Sequence, residues 1–229
     1  MRIRSFIIAY ALVLAILLFA DRRPGSTQQD RYSRVVDLTD AQNATAPHAT
    51  ESRTRIIAPG ALIPGTWAAG QIPPQRLVAP LVVMDLNAAI NAANEDSPQI
   101  SLDDIAAWES RHGMIPQGAV IAIRRAGAHD VPTTNDLSTN DLSMPFPITR
   151  DAAQFLMDAR YTIGFAVETP ANLTSDRTLA RQLALHGTYV VEGTARFTSL
   201  PATGSLIIVA PARNKKPGEA AVRILAMVR

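Results

Sequence analysis

The stretch ESRTRIIAPGALIPGTW, Glu51–Trp67, decides how this sequence is read. It opens with charged and hydroxyl side chains, turns at Ala58-Pro59-Gly60 and runs on as an apolar segment. Thr54, three intervening residues and Ala-Pro-Gly read like the frame of a metal-binding loop. Arg55, Ile57 and Ala61, before and after its turn, offer no imidazole or carboxylate. The frame is present without its donors, and the rest of the chain must say whether another set replaces them.

Upstream, MRIRSFIIAYALVLAILLFADRR combines a short basic start with fifteen uncharged, mostly apolar residues from Phe6 to Ala20. Residues 1–20 read either as a cleaved signal peptide or as a transmembrane anchor. As an α-helix the run covers roughly 22 Å, short of the roughly 30 Å hydrocarbon core. Ser5 and a snorkelling Arg22 extend it. As a signal its lengths fit, although Leu18 stands where the cleavage site prefers a small residue. Arg2 and Arg4 keep the N-terminus cytoplasmic and place the remainder outside. The expected location is the periplasmic side of a bacterial inner membrane, anchored or secreted. Residues 21–34, DRRPGSTQQDRYSR, carry no apolar periodicity and read as a polar tether.

The chain of 229 residues is 47% apolar and 18% charged, enough for a real core. Its net charge is +2, and setting aside Arg2 and Arg4 leaves 20 of the 22 basic residues against 20 acidic ones. That balance predicts no nucleic-acid partner. The absence of cysteine excludes disulfides, thiolate metal sites and a Cys nucleophile.

Residues 35–229 read as one domain of mixed α/β type. VVDLT (35–39) predicts a first strand, and LVAPLVVMDL (77–86) and GAVIAI (118–123) predict buried strands. Between the last two, SLDDIAAWESRHG predicts a helix. Ser101 with Asp104 forms a capping-box pattern, Gly113 marks the stop, and Ile105 and Trp108 face the core. RDAAQFLMDAR and RTLARQLALHG predict two further helices. YTIGFAVE, TYVVE, GSLIIVAPA and AAVRILAMV predict strands. The paired strands at the end break strict alternation, so the sheet is mixed rather than all parallel. TNDLSTNDLS, residues 134–143, is a perfect tandem duplication and reads as an exposed loop insertion.

These blocks, in this order, resemble the cyclase family of metal-dependent hydrolases, to which bacterial kynurenine formamidase belongs. VVDLT resembles the opening strand, TRIIAPGALIPG the Thr-His-x-Asp-Ala-Pro-x-His loop, and the later blocks the family's middle and closing regions. The resemblance covers roughly Val35 to Arg229. It implies a swivelling β/β/α, barrel-like fold and hydrolysis of an amide or ester by water activated on one or two divalent metals, zinc or manganese. It also implies six polar positions, which fall here on Glu51, Arg55, Ile57, Ala61, Ala180 and Glu192. Only Glu192 keeps the family residue, with Glu51 a substitute at another position. A guanidinium has no lone pair to offer and repels a cation, and Ile57, Ala61 and Ala180 have no donor atom.

Of the four histidines, His112 and His186 read as helix C-terminal residues and His129 lies in a loop. His48 with Glu51 and Glu192 is the one rescue set. There is no Gly-x-Ser-x-Gly elbow and no phosphate-cradling glycine loop. If the fold joins Arg55 to Glu192, the arginine supplies the charge of the lost ion.

The expected function is a non-catalytic accessory or structural subunit or binding module, a pseudoenzyme of cyclase architecture with no cofactor. It meets the membrane through residues 6–20 and there a membrane protein complex, and a homo-oligomer is left open. The alternative is an active metal-dependent hydrolase of the kynurenine formamidase type with altered ligands. A soluble small-molecule binder using the emptied pocket is a third reading.

Overall fold

Along each central strand the side chains alternate between two cores. Leu81 and Val83 face one, and Val82 and Met84 the other; Val120 and Ala122 oppose Ile121 and Ile123 in the same way. Two buried faces explain why these strands read as unbroken apolar runs. The computed structural model describes residues 32–40, 54–86, 99–124, 145–168, 173, 176–213 and 218–229. Residues 1–20, most of the tether, His48, Glu51, His129 and the 134–143 repeat lie outside the described residues. Residues 34–229 form one compact unit.

Eight strands are described: β1 (Arg34–Asp37), β2 (Arg55–Ile57), β3 (Val78–Asp85), β4 (Val120–Arg124), β5 (Gly164–Val167), β6 (Tyr189–Glu192), β7 (Ser205–Pro211) and β8 (Glu219–Val228). β3, β4, β5 and β6 are parallel neighbours. β2 lies antiparallel on β6, β7 antiparallel on β3, and β8 antiparallel on both β7 and β2. Seven strands thus close into a barrel, and β1 adds to β8 beyond β2. The sheet is mixed, as the paired C-terminal strands predict.

Four helices follow: α1 (Pro59–Leu62), a single turn, then α2 (Leu102–His112), α3 (Arg150–Arg160) and α4 (Arg177–Leu185). In α2 the Ser101 hydroxyl accepts from the Asp104 amide at 3.2 Å and Asp104 accepts from the Ser101 amide at 2.9 Å. Gly113 ends it at φ 86°. Ile105 and Trp108 are buried as expected, and the Trp108 indole donates to the Val83 carbonyl at 3.0 Å. His112 closes α2 against the Trp108 ring, and His186 caps α4 with Nε2 3.5 Å from Asp158.

Inside the barrel, Val36, Ile56, Ala166, Val191, Ile207 and Ile224 meet. Residues 193–204 run from β6 to β7, and Phe197 and Leu200 from this crossing join the inner core. The outer faces of β3–β6 are covered by α2, α3 and α4 through Trp108, Leu156, Leu179 and Leu183.

Candidate functional site

The loop read from TRIIAPGALIPG is a strand followed by a helical turn. Arg55–Ile57 pairs on both edges, and each member of the surrounding frame has a structural task. The Thr54 hydroxyl is buried; it donates to the Gly193 carbonyl at 2.6 Å and accepts from the Asp40 amide at 2.8 Å. Pro59 opens α1, where a missing amide proton is no loss. Gly60 donates to the Trp67 carbonyl at 2.7 Å, and a Cβ there would meet that oxygen at 2.9 Å. Thr-x-x-x-Ala-Pro-Gly is therefore a folding device independent of any ligand.

Its register sets Arg55 directly opposite Glu192 of β6, with Nε 3.4 Å from Oε2. Glu192 is 2% exposed and Arg55 41%. Arg55 also lies 3.1 Å from Glu219 Oε2, which is half exposed on the other flanking strand. One guanidinium thus links β2 to both its neighbours. A carboxylate this deeply withdrawn from water needs a counter-charge, and Arg55 provides one. The Glu219 contact was invisible in the sequence.

Ile57 shares the outward face with Arg55, opposite Val190, and sinks into the cluster that holds Leu179 and Leu183 of α4. Ala180 is buried on α4. Ala61 is exposed on α1, and α1 packs against α4. The structure therefore gathers Arg55, Ile57 and Glu192 on adjacent strands and brings the elements carrying Ala61 and Ala180 together. His48 and Glu51 lie outside the described residues.

At the carboxyl ends of the parallel strands, a second ion pair joins Asp85 to Arg124. The guanidinium grips both carboxylate oxygens, at 2.5 and 2.6 Å, and donates to the Phe197 carbonyl at 3.3 Å. The Asp85 hydrogen bonds raise the Arg124 pKa further above its ordinary value, with Glu168 adding to the effect. This pair went unread, although a charge ending each apolar run (LVVMD, VIAIR) was its signal.

The donors among the described residues do not fit a divalent metal. Zinc or manganese needs converging imidazole and carboxylate donors. Arg55 offers protons instead of lone pairs, and Ile57, Ala61 and Ala180 offer nothing. Among the described residues no group of three His, Cys, Asp or Glu side chains could hold an ion. The described arrangement binds β6, β2 and β8 by charge, and no hydrolytic step follows from it.

Comparison with known proteins gives the lineage. The putative cyclase family profile matches residues 21–172, well over half of the chain. No curated protein matches the sequence. Among solved structures, isatin hydrolase A from Labrenzia aggregata, bound to benzyl benzoate, superposes with a TM-score of 0.68 at 23% identity, covering 91% of this chain and 98% of its own. Isatin hydrolase A from Ralstonia solanacearum gives 0.68 at 24% identity over 86% and 92% of the two chains. A potential metal-dependent hydrolase with cyclase activity gives 0.60 at 20% identity over 86% and 98%. At these identities the likeness is one of fold, and it matches the mixed barrel described above. Together with the profile match, it shows that this chain belongs to the putative cyclase family.

Proposed function

We propose that this protein is a cyclase-fold pseudoenzyme on the periplasmic side of a bacterial inner membrane, serving as a non-catalytic accessory subunit or binding module. One observation carries the reading: a guanidinium faces a buried carboxylate at two positions where the resemblance places metal ligands. A cation that is part of the polypeptide neutralises Glu192 without a water molecule to activate, so the chemistry of metal-dependent hydrolysis has no starting point. The apolar run at residues 6–20 supports the location. Among the described residues no helix is long and apolar enough to cross a membrane.

The test measures metal and turnover together. The full chain, purified without chelator, is analysed for zinc and manganese by mass spectrometry. It is then assayed on isatin and on N-formylkynurenine with either metal added. The expected result is well below one metal per chain and no hydrolysis above buffer. Stoichiometric metal with activity lost on chelation restores the hydrolase reading, and loss of that metal in His48→Ala or Glu51→Gln would locate the rescue ligands.

A further inference from the structure

Of the seven large hydrophobic side chains exposed among the described residues, five stand at the amino ends of the parallel strands: Trp67, Val78, Met114, Tyr161 and Leu185. Contacts join four of them into one strip. The Gly118 amide, in the turn that carries Met114, donates to the Arg160 carbonyl at 3.0 Å, beside Tyr161. Asp158, near the end of α3, lies 3.5 Å from His186, the neighbour of Leu185. A Cβ added at Gly187 would meet the Trp67 ring at 2.9 Å. Arg76 completes the strip. Its guanidinium carbon is 5.5 Å from the centre of the Trp67 ring, and Nη2 donates to the Gly187 carbonyl at 3.0 Å.

Tyr161 is more than the end of α3. It holds the left-handed cap position at φ 53°, which glycine fills at least cost, and it is 62% exposed. A large ring stands in water where the backbone favours no side chain at all, and such a locally unfavourable choice points to a task outside the fold.

The strip also carries unmatched charge. Arg181 lies one turn before Leu185 on the same exposed stripe of α4. Neither Arg76 nor Arg181 has a carboxylate within ion-pair distance among the described residues. Arg76 is the costlier of the two, because its Nε is sealed from water and finds no acceptor among the described residues. The carbonyls that end α4 and the face of the indole offset part of that cost.

Trp, Tyr and Arg side chains held in place by a scaffold are the usual anchors of protein interfaces. Two unmatched guanidiniums among them suit carboxylates. An anionic bilayer suits the strip poorly, since the exposed Asp158 would face its phosphates. A two-fold dimer through the strip would bring the same unmatched arginines from both sides.

We infer that the amino end of the barrel, from Trp67 across α4 to Tyr161, docks an acidic segment of a partner protein. Apolar side chains of that segment lie against Trp67, Leu185 and Tyr161, and its carboxylates meet Arg76 and Arg181. The existence of a partner rests on the binding-module reading, but the strip is at the opposite end of β6 from Glu192, so the two can fail separately.

The full-length chain is immobilised and used to select from a phage-displayed library of random peptides about twelve residues long. Selected peptides are synthesised and titrated by the emission and acrylamide quenching of Trp67, the exposed one of the chain's two tryptophans. Enriched peptides are expected to combine Asp or Glu with aromatic or branched apolar residues, to shift the emission to the blue and to shield the ring. Leu185→Asp and Arg181→Glu should each weaken binding about tenfold. Leu102→Asp, exposed at the start of α2, should leave it unchanged. Tyr161→Gly should weaken binding several-fold without lowering the melting temperature, whereas a fall would return the ring to the fold and overturn its part in docking. Enrichment of basic peptides, no enrichment, or binding indifferent to the Leu185 and Arg181 changes overturns the inference. So does capture by phosphatidylglycerol vesicles in place of peptides, which identifies a bilayer. Self-association that Leu185→Asp abolishes identifies a second copy and overturns it too. Metal-dependent turnover in a chain that still selects acidic peptides removes the pseudoenzyme reading and leaves the docking strip standing.

Discussion

Arg55 sits between two carboxylates of unequal standing, one sealed in the protein and one half in water. Replacing Arg55 by Met takes a counter-charge from a buried carboxylate. The expected cost is about 2–3 kcal/mol, at the low end for buried pairs because Arg55 is itself partly exposed. Arg55→Met/Glu192→Met removes the charge as well as its partner and should recover most of that loss in urea unfolding. A double variant no more stable than Arg55→Met would show that Glu192 draws its stability from elsewhere. The Arg55–Glu192 pairing was legible because a basic and an acidic residue occupy two positions of one ligand set. Glu219 was not, since nothing in a single sequence says which residue of β8 comes to lie beside β2.

Elements with strong local signals were legible almost to the residue, and those without were not. α2 carries its own start and stop in Ser101, Asp104 and Gly113. β2 has three residues, too few to show a period, and it was taken for loop. β5 begins at Gly164 and not at Tyr161. Tyr161 adopts left-handed φ 53° to end α3, and the Thr162 amide still donates to the Leu156 carbonyl at 3.1 Å. α2 and α3 are joined by a two-pronged ion pair, Arg160 to Glu109 at 2.8 and 2.9 Å. The Arg160 hydrogen bond holds the Glu109 pKa below its ordinary 4.5, against the opposing effect of burial. A depressed carboxylate pKa adds stability that is fully present above the unfolded value and fades as pH falls through the folded one. Glu109→Gln should therefore lower stability by about 1 kcal/mol at pH 7. The gap to the parent should narrow as pH falls below 4.5 and through the lower folded-state value. Urea titrations from pH 7 into the acid range check this, and a gap that does not narrow at all would assign the loss to packing.

At the scale of the molecule, the inventory of strands and helices was readable, but ring closure was not. Buried runs such as LVVMD and VIAIR announce central strands, yet the pairing of β8 with β1, β2 and β7 joins residues far apart in sequence. If Arg55 stands in for the ion, as proposed, a chelator has nothing to remove. A metal present at a thousand times its dissociation constant stabilises by about 4 kcal/mol. Its removal would therefore move the melting temperature by several degrees. Melting with and without EDTA should agree within about 1 °C, and a fall of several degrees would reveal a bound ion.

The position of β8 sets a timetable. Glu219–Val228 follows all the other described strands in the chain, and it is the common neighbour of β1, β2 and β7. Until it is in place, β1 has no strand partner and the ring stays open between β2 and β7. Removing those ten residues would leave β1 without a strand partner and strip one neighbour each from β2 and β7, which keep β6 and β3.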